Sequence, residues 1–539
     1  MNPKNKAIMK YTSIFLFLLL IHTFLFASKK PNVVFIMCDD LNDYITGIEG
    51  QAGHPQSITP NVNKLAQSGV AFEKAYSNHP VCAPSRSSCF TGTYGMSSGN
   101  LFWGKWFTNE KLKNSKTMME HFRDHGYYVA GSGKLLHHNK KDVWSEFKHE
   151  ADYGPHAFNG EKKVAHPDVP KPFWDIGPTD GSFGSLESSS YLNDNNPKTG
   201  WVTGPWNNPK LMKFKNDLDR DRTPDEKNAE WAANRIRKFA ESGDEKPFFL
   251  GVGFIRPHTP MHVSQKYFDR HPLDQVQLPI LKKDDHLDTF YHKYFRPTQK
   301  GLRYYSTLKK SYTDFEEGLR KYTQAYLACV TAVDECIGQV VDAIDNSPFK
   351  DNTIIVITSD HGWNMGQKEF IFKNSPWEES CRIPLIIRAP GVAQAGGVAK
   401  HPVSLVDLYP TLTDLCGLDN NTKKNDQGIP LDGHSMRPFL VNPEQNEWTG
   451  PQGALSMIFI GDSFRKDLSR EERFQLKNQH WSYRTERWRY IQYSGGDEEL
   501  YDHLEDPYEW ENLALNPEFK AVKINLLNEM NSIRSLSEL

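Results

Sequence analysis

Asn32-Val33-Val34-Phe35-Ile36-Met37-Cys38-Asp39-Asp40 is the stretch that decides the fold. A strand with one wet face alternates apolar and polar residues. This one is apolar almost throughout, as in a strand covered on both faces by helices, and it ends in two carboxylates. Similar runs recur at residues 70–76, 127–130, 248–252, 353–358 and 384–387. Helical patterns lie between them. Thr59 is placed to cap a helix with Pro60 in its first turn, Val62, Leu65 and Ala66 on its apolar stripe and Gly69 at its end. A second helix is expected from Ser115 through Met118, Met119 and Phe122 to Gly126. Tyr326, Val330, Val333, Ile337, Val340 and Ile344 recur at spacings of four and three, the mark of a long amphipathic helix. Ser404 and Asp407 form a capping box for a helix through Leu415, stopped by Gly417. Strands alternating with helices predict an α/β sandwich around a mixed, largely parallel sheet.

Two regions break this pattern. Residues 148–222 are rich in Gly, Pro, Asn and Trp and predict long ordered loops rather than a separate core. Residues 481–493 mix aromatic and basic side chains and predict an antiparallel strand pair. A boundary near residue 420 therefore separates a catalytic domain, 29–420, from a smaller C-terminal subdomain, 421–539, with an antiparallel sheet.

With 539 residues, 38% apolar and 24% charged, the chain can bury a large core. A formal net charge of −3 argues against a nucleic-acid partner but leaves room for a local basic pocket. Residues 1–28 carry Lys4, Lys6 and Lys10 before an apolar run too short for a spanning helix. That predicts a secretory signal peptide, hence an exported, periplasmic or secreted protein with no stable membrane anchor. Seven cysteines are too few for a disulfide scaffold, and the odd count leaves one unpaired.

Three polar sites follow an apolar strand: Asp39-Asp40, Lys134 and Asp360-His361. In open α/β sheets ligands bind at the carboxyl ends of the strands, so the fold gathers these residues along one edge. Three carboxylates suit a hard cation, Ca²⁺ or less readily Mg²⁺, with His361 a softer ligand. Alone, Asp39-Asp40 could equally be a cap or a solvated turn, and Asp360-His361-Gly362 a turn.

A further segment narrows the chemistry: Pro80-Val81-Cys82-Ala83-Pro84-Ser85-Arg86-Ser87-Ser88-Cys89-Phe90-Thr91-Gly92. Cys82, Pro84 and Arg86 at these offsets resemble the signature of type I sulfatases, in which a dedicated maturation enzyme oxidises the cysteine to formylglycine. The chain also resembles that family in its Asp-Asp pair, in Gly133-Lys134-Leu135-Leu136-His137, in Asp360-His361-Gly362, and in Glu499-Leu500-Tyr501-Asp502 with Asp506-Pro507 beyond. The spacing from Lys134 to His137, Arg256-Pro257-His258-Thr259-Pro260, and Lys373 after Asp360 are most similar to the iduronate-2-sulfatase branch. The resemblance implies an alkaline-phosphatase-like sandwich. It implies that Asp39, Asp40, Asp360 and His361 hold a divalent cation, with formylglycine at Cys82 (3-oxoalanine) as nucleophile and further ligand. Arg86 and Lys134 would fix the hydrated aldehyde. His258 and Lys373 would contact the sulfate, one of them protonating the leaving alcohol, and His137 would take the proton whose loss expels sulfate. His138 competes with His137, and Lys368 with Lys373.

By analogy with that family the substrate is a sulfated glycan, an algal polysaccharide such as ulvan being favoured over carrageenans or glycosaminoglycans. Trp103, Trp106, Trp174, Trp201 and Trp206 lie in irregular segments and are candidates for a sugar-binding wall. Two other functions fit the residues: a phosphonate or phosphate monoester hydrolase on the same scaffold, and a non-catalytic glycan-binding relative.

Overall fold

The computed structural model describes residues 29–46, 53–187, 198–445 and 447–535; the signal peptide expected over 1–28 lies outside them. Strands β1 (Asn32–Asp39), β2 (Val70–Phe72), β3 (Tyr128–Gly133), β4 (Glu146–Phe147), β5 (Phe248–Pro257), β6 (Thr353–Ser359), β7 (Leu385–Arg388) and β8 (Gly397–Ala399) form one sheet. Their order is β8-β2-β7-β6-β1-β5-β3-β4. β1 lies at the centre, parallel to both β5 and β6. β7 runs antiparallel to β6 and β2, so the sheet is mixed but largely parallel.

Every residue of β1 is buried, and its alternating side chains enter two different cores. Val34, Ile36 and Cys38 pack with helices α1 (Pro60–Gln67), α4 (Pro224–Ser242) and α5 (Phe315–Asp345). Val33, Phe35 and Met37 pack with α2 (Cys82–Thr91) and α3 (Met118–Asp124). Burial on both faces explains why the sequence shows no alternation there. It also pins the register, since a slip by one residue would exchange the two sets.

The C-terminal region adds a four-stranded antiparallel sheet, Ala454–Ile458, His480–Arg484, Trp488–Gln492 and Glu498–Asp502. The pair expected at 481–493 is its centre. Buried ion pairs tie this sheet to the rest: Arg489 bonds Glu378 and Glu509, and Trp377 Nε1 donates to Glu499 Oε2 at 3.0 Å.

Several local expectations change. Thr59 precedes α1, but its hydroxyl makes no cap and meets Thr46 instead. Asp334, reaching over from α5, accepts the N–H groups of Asn61 (3.1 Å) and Val62 (2.8 Å). The helix expected from Ser115 starts at Met118, because Thr117 and Glu120 form the capping box. Residues 70–76 are two short strands in different sheets, Val70–Phe72 and Ala75–Tyr76. Residues 148–222 are not loops alone. Lys210–Met212, Gly200–Thr203, His156–Phe158 and Lys163–Val164 form a small sheet with its own cluster of Ala157, Val164, Leu186, Trp201 and Met212. Its strands are too short for periodicity to reveal. Trp201 and Trp106 are buried and are not part of any cleft wall.

Candidate active site

β1, β3 and β6 all end at one edge of the sheet, and each delivers polar residues there. Asp39 closes β1 and Asp40 follows with φ 62°, a left-handed turn that Asp tolerates better than most residues. Asp360 and His361 follow β6, and Lys134 follows β3. Cys82 is the first residue of α2, which enters the same edge from below the sheet. All ten residues of that helix are buried.

Arg86, one turn along α2, ties the strand ends together. Its Nε donates to Asp360 Oδ2 at 2.8 Å and its Nη2 to Asp39 Oδ1 at 3.3 Å. Its Nη1 donates to the carbonyls of Lys134 and Leu135. With its donors so engaged, Arg86 is the brace of the site. The Lys134 ammonium bonds Asp39 Oδ2 and lies 4.9 Å from the centroid of the Tyr153 ring. Burial disfavours its charge, but Asp39 raises its pKa above the ordinary lysine range.

Lys373 Nζ donates to Asp40 Oδ1 at 2.7 Å and to Cys82 Sγ at 2.9 Å. Its rival Lys368 is bonded to Asp285 and the carbonyl of Glu509, away from this cluster. His361 Nε2 is 3.3 Å from Cys82 Sγ and 3.4 Å from Asp40 Oδ1. His258 Nε2 is 3.7 Å from Asp40 Oδ2, with Nδ1 turned to the carbonyl of Thr259. His137, at φ 64°, packs against Trp103 at 4.6 Å and has a buried Nδ1 without a hydrogen bond. Burial, Lys134 and Arg86 all lower its pKa, whereas His138 feels Lys105 instead, so His137 is the histidine nearer the charged cluster.

Donor atoms of Asp39, Asp40, Cys82 and His361 lie within 4.8 Å of one another. Asp360 Oδ1 is 3.6 Å from His361 Nε2 and braces the group through the N–H of Asp40 at 3.2 Å. The donors fit a divalent cation on three counts. His361 turns Nδ1 to the carbonyl of Gly362 at 3.0 Å, and burial lowers its pKa, so the Nε2 lone pair faces the carboxylates. Asp40 Oδ2 is buried without a partner. Burial pushes the Asp40 pKa up to about 8, and Asp39 adds to the rise against the pull of Lys373, so this carboxylate calls for more positive charge.

The Cys82 thiol is not activated in place. Burial and Asp39 raise its pKa against the pull of Lys134 and Lys373, the reverse of a thiolate nucleophile.

Some residues here gave no sequence signal. Tyr153 touches both Lys134 and His258, its ring 5.0 Å from the latter. Tyr326, taken as a core residue, donates its hydroxyl to the Asp40 carbonyl at 2.6 Å. Asp180 accepts from Thr259 and Tyr304 and pairs with Lys300. The cluster opens into two cavities. One of about 260 Å³ is lined by Lys134, His137, His138 and Tyr153. The other, about 220 Å³, is lined by Trp103, Gln299, Lys300, Lys373 and Asp462. Among the described residues no helix is long and apolar enough to cross a membrane.

Known proteins resemble this chain in sequence and in fold. The sulfatase family profile matches residues 31–418, and the profile for the C-terminal part of N-sulphoglucosamine sulphohydrolase matches 361–536. A sulfatase of Formosa agariphila is 33% identical over 512 residues, spanning 93% of this chain and 86% of its own. The ulvan-active sulfatase of that organism is 26% identical over 95% of this chain and 82% of its own. Iduronate 2-sulfatase of Mus musculus is 26% identical over 73% and 70%. In fold, a phosphonate monoester hydrolase from Silicibacter pomeroyi superposes with a TM-score of 0.65 at 21% identity, over 94% of this chain and 96% of that one. A profile spanning most of the chain, and a relative matched over nearly its full length, make this protein a member of the sulfatase family, an alkaline-phosphatase-like α/β sandwich that hydrolyses sulfuric esters.

Proposed function

We propose that the chain removes sulfate from a sulfated glycan, with formylglycine made from Cys82 as nucleophile and Ca²⁺ as the resident cation. The observation that carries this is Cys82 Sγ itself: an unactivated, buried thiol, bonded by Lys373 and facing the lone pair of His361 among three carboxylates. Here Sγ stands where an oxygen of the hydrated aldehyde would lie, and that oxygen would attack sulfur. Held by Asp39, Asp40, Asp360, His361 and that oxygen, the cation would polarise the sulfonyl oxygens.

Charge supports the assignment. Asp39, Asp40 and Asp360 balance Arg86, Lys134 and Lys373, so a divalent cation leaves a surplus suited to an anionic ester and an ionised nucleophile. Lys373 binds on the nucleophile's side, and Lys134 beside it, where charge spreads over the sulfonyl oxygens. His258 lies across Asp40 from Lys373 and is the better placed to protonate a departing oxygen. Burial and Lys373 keep its ring neutral at rest, and the negative charge of a bound sulfate ester favours the imidazolium, so His258 would take up a proton from solvent as the substrate binds and pass it to the leaving oxygen. His137, neutral through burial, accepts the proton lost as sulfate leaves. The ulvan-active relative supports an algal glycan as substrate, and the apolar leader an exported enzyme.

Peptide mass spectrometry across Cys82, after expression with a maturation enzyme, is expected to show the aldehyde. A thiol there would defeat the assignment. The mature enzyme is expected to hydrolyse 4-nitrophenyl sulfate faster than 4-nitrophenyl phosphate; the opposite order would make it a phosphoester hydrolase. Removing the cation with a chelator is expected to abolish turnover and lower the melting temperature, because a ligand bound at 100 times its Kd adds about 2.7 kcal/mol. Ca²⁺ should restore both, and an unchanged melting curve would count against a resident cation.

A further inference from the structure

Of the five tryptophans expected to line a cleft, Trp206 is the most exposed, with 60% of its surface accessible. It sits in the hairpin between Gly200–Thr203 and Lys210–Met212, yet its ring is held. Lys163 Nζ lies 4.5 Å from the ring centroid and donates to the Gly204 carbonyl at 3.1 Å. The His156 ring packs at 5.4 Å.

This platform is fastened to the active site. Asp152 accepts the N–H of Gly204 at 2.7 Å and that of Gly154 at 3.0 Å, pinning the hairpin onto the segment that carries Tyr153. Tyr153 in turn touches Lys134 and His258. A second path is independent of the first. His156 Nε2 is 3.2 Å from Thr179 Oγ1, and the neighbouring Asp180 accepts from Thr259 and Lys300.

We propose that Trp206, its ring held by Lys163, forms a sugar-binding subsite outside the sulfate pocket, which takes a neighbouring ring of a sulfated oligosaccharide. The proposal rests on the glycan sulfatase function above and adds that the enzyme reads more than the sulfated residue. An indole face stacks on the apolar face of a pyranose. A fixed ring loses little freedom on binding, and Lys163, buried against one face of the indole and bonded to the Gly204 carbonyl, holds it in place and leaves the other face to the sugar.

The test compares Trp206→Ala and Lys163→Gln with the parent on 4-nitrophenyl sulfate and on sulfated oligosaccharides from ulvan, carrageenan and heparan sulfate. The oligosaccharide KM is expected to rise about tenfold for Trp206→Ala, the size of one aromatic contact, with kcat nearly unchanged. Lys163→Gln should raise it about threefold. Turnover of 4-nitrophenyl sulfate, which carries no second sugar ring, should stay as in the parent. An unchanged oligosaccharide KM, or an equal loss on both substrates, overturns the subsite alone. A parent enzyme that cleaves 4-nitrophenyl sulfate but none of the glycans overturns the subsite and the glycan assignment together.

Discussion

A Cys82→Ala chain is expected to lose turnover by a factor on the order of 10⁶, the scale seen when a covalent nucleophile is removed. The loss should appear equally on 4-nitrophenyl sulfate and on a sulfated oligosaccharide, since both need the same attacking oxygen. Folding should survive. Deleting one buried sulfur costs about 1 kcal/mol, which in a chain of this size moves the melting temperature by only about 1 °C. Turnover above one part in about 10³ of the parent would mean that another group attacks sulfur, and the part assigned to Cys82 would fail.

His258→Ala is expected to discriminate between substrates where Cys82→Ala does not. A general acid matters in proportion to how poorly the leaving oxygen bears negative charge. A sugar alcohol needs the proton, so the variant should fall by about 10²–10⁴-fold on an oligosaccharide sulfate. 4-Nitrophenolate leaves without help, so there the loss should be within about tenfold. Lys373→Ala should instead damage both, because its ammonium meets the nucleophile's side of the site. Parallel losses for His258→Ala on the two substrates would transfer the proton donation elsewhere.

The sequence disclosed most of the candidate cluster because the fold gathers polar residues at strand ends. A strand buried on both faces leaves an unbroken apolar run, and the first charged residues after it mark the carboxyl edge. Asp39, Asp40, Lys134, Asp360 and His361 were legible for that reason, and the offsets of Pro84 and Arg86 marked Cys82. Arg86 differs in detail from its expected part, since its donors go to Asp39, Asp360 and strand-end carbonyls. Tyr153 and Asp180 were silent because they come from stretches without periodicity and reach the site only through tertiary packing. The small sheet at residues 156–212 was missed because strands of two to four residues cannot display alternation. Trp106 and Trp201 misled for the same reason: an irregular segment in sequence can still be core in space.

The complete burial of Cys82–Thr91 has a consequence for biosynthesis. Under the proposed function an oxidising enzyme would have to grip the backbone on both sides of the thiol and reach Pro84 and Arg86, yet in the folded protein Arg86 is locked among strand ends and the helix is almost wholly shut off from solvent. If Cys82 is converted as proposed above, conversion would therefore have to happen on the nascent or unfolded chain, in competition with collapse of the sheet. A molecule that folded first would then carry its thiol permanently, and the active fraction of a preparation would record which of the two events was faster.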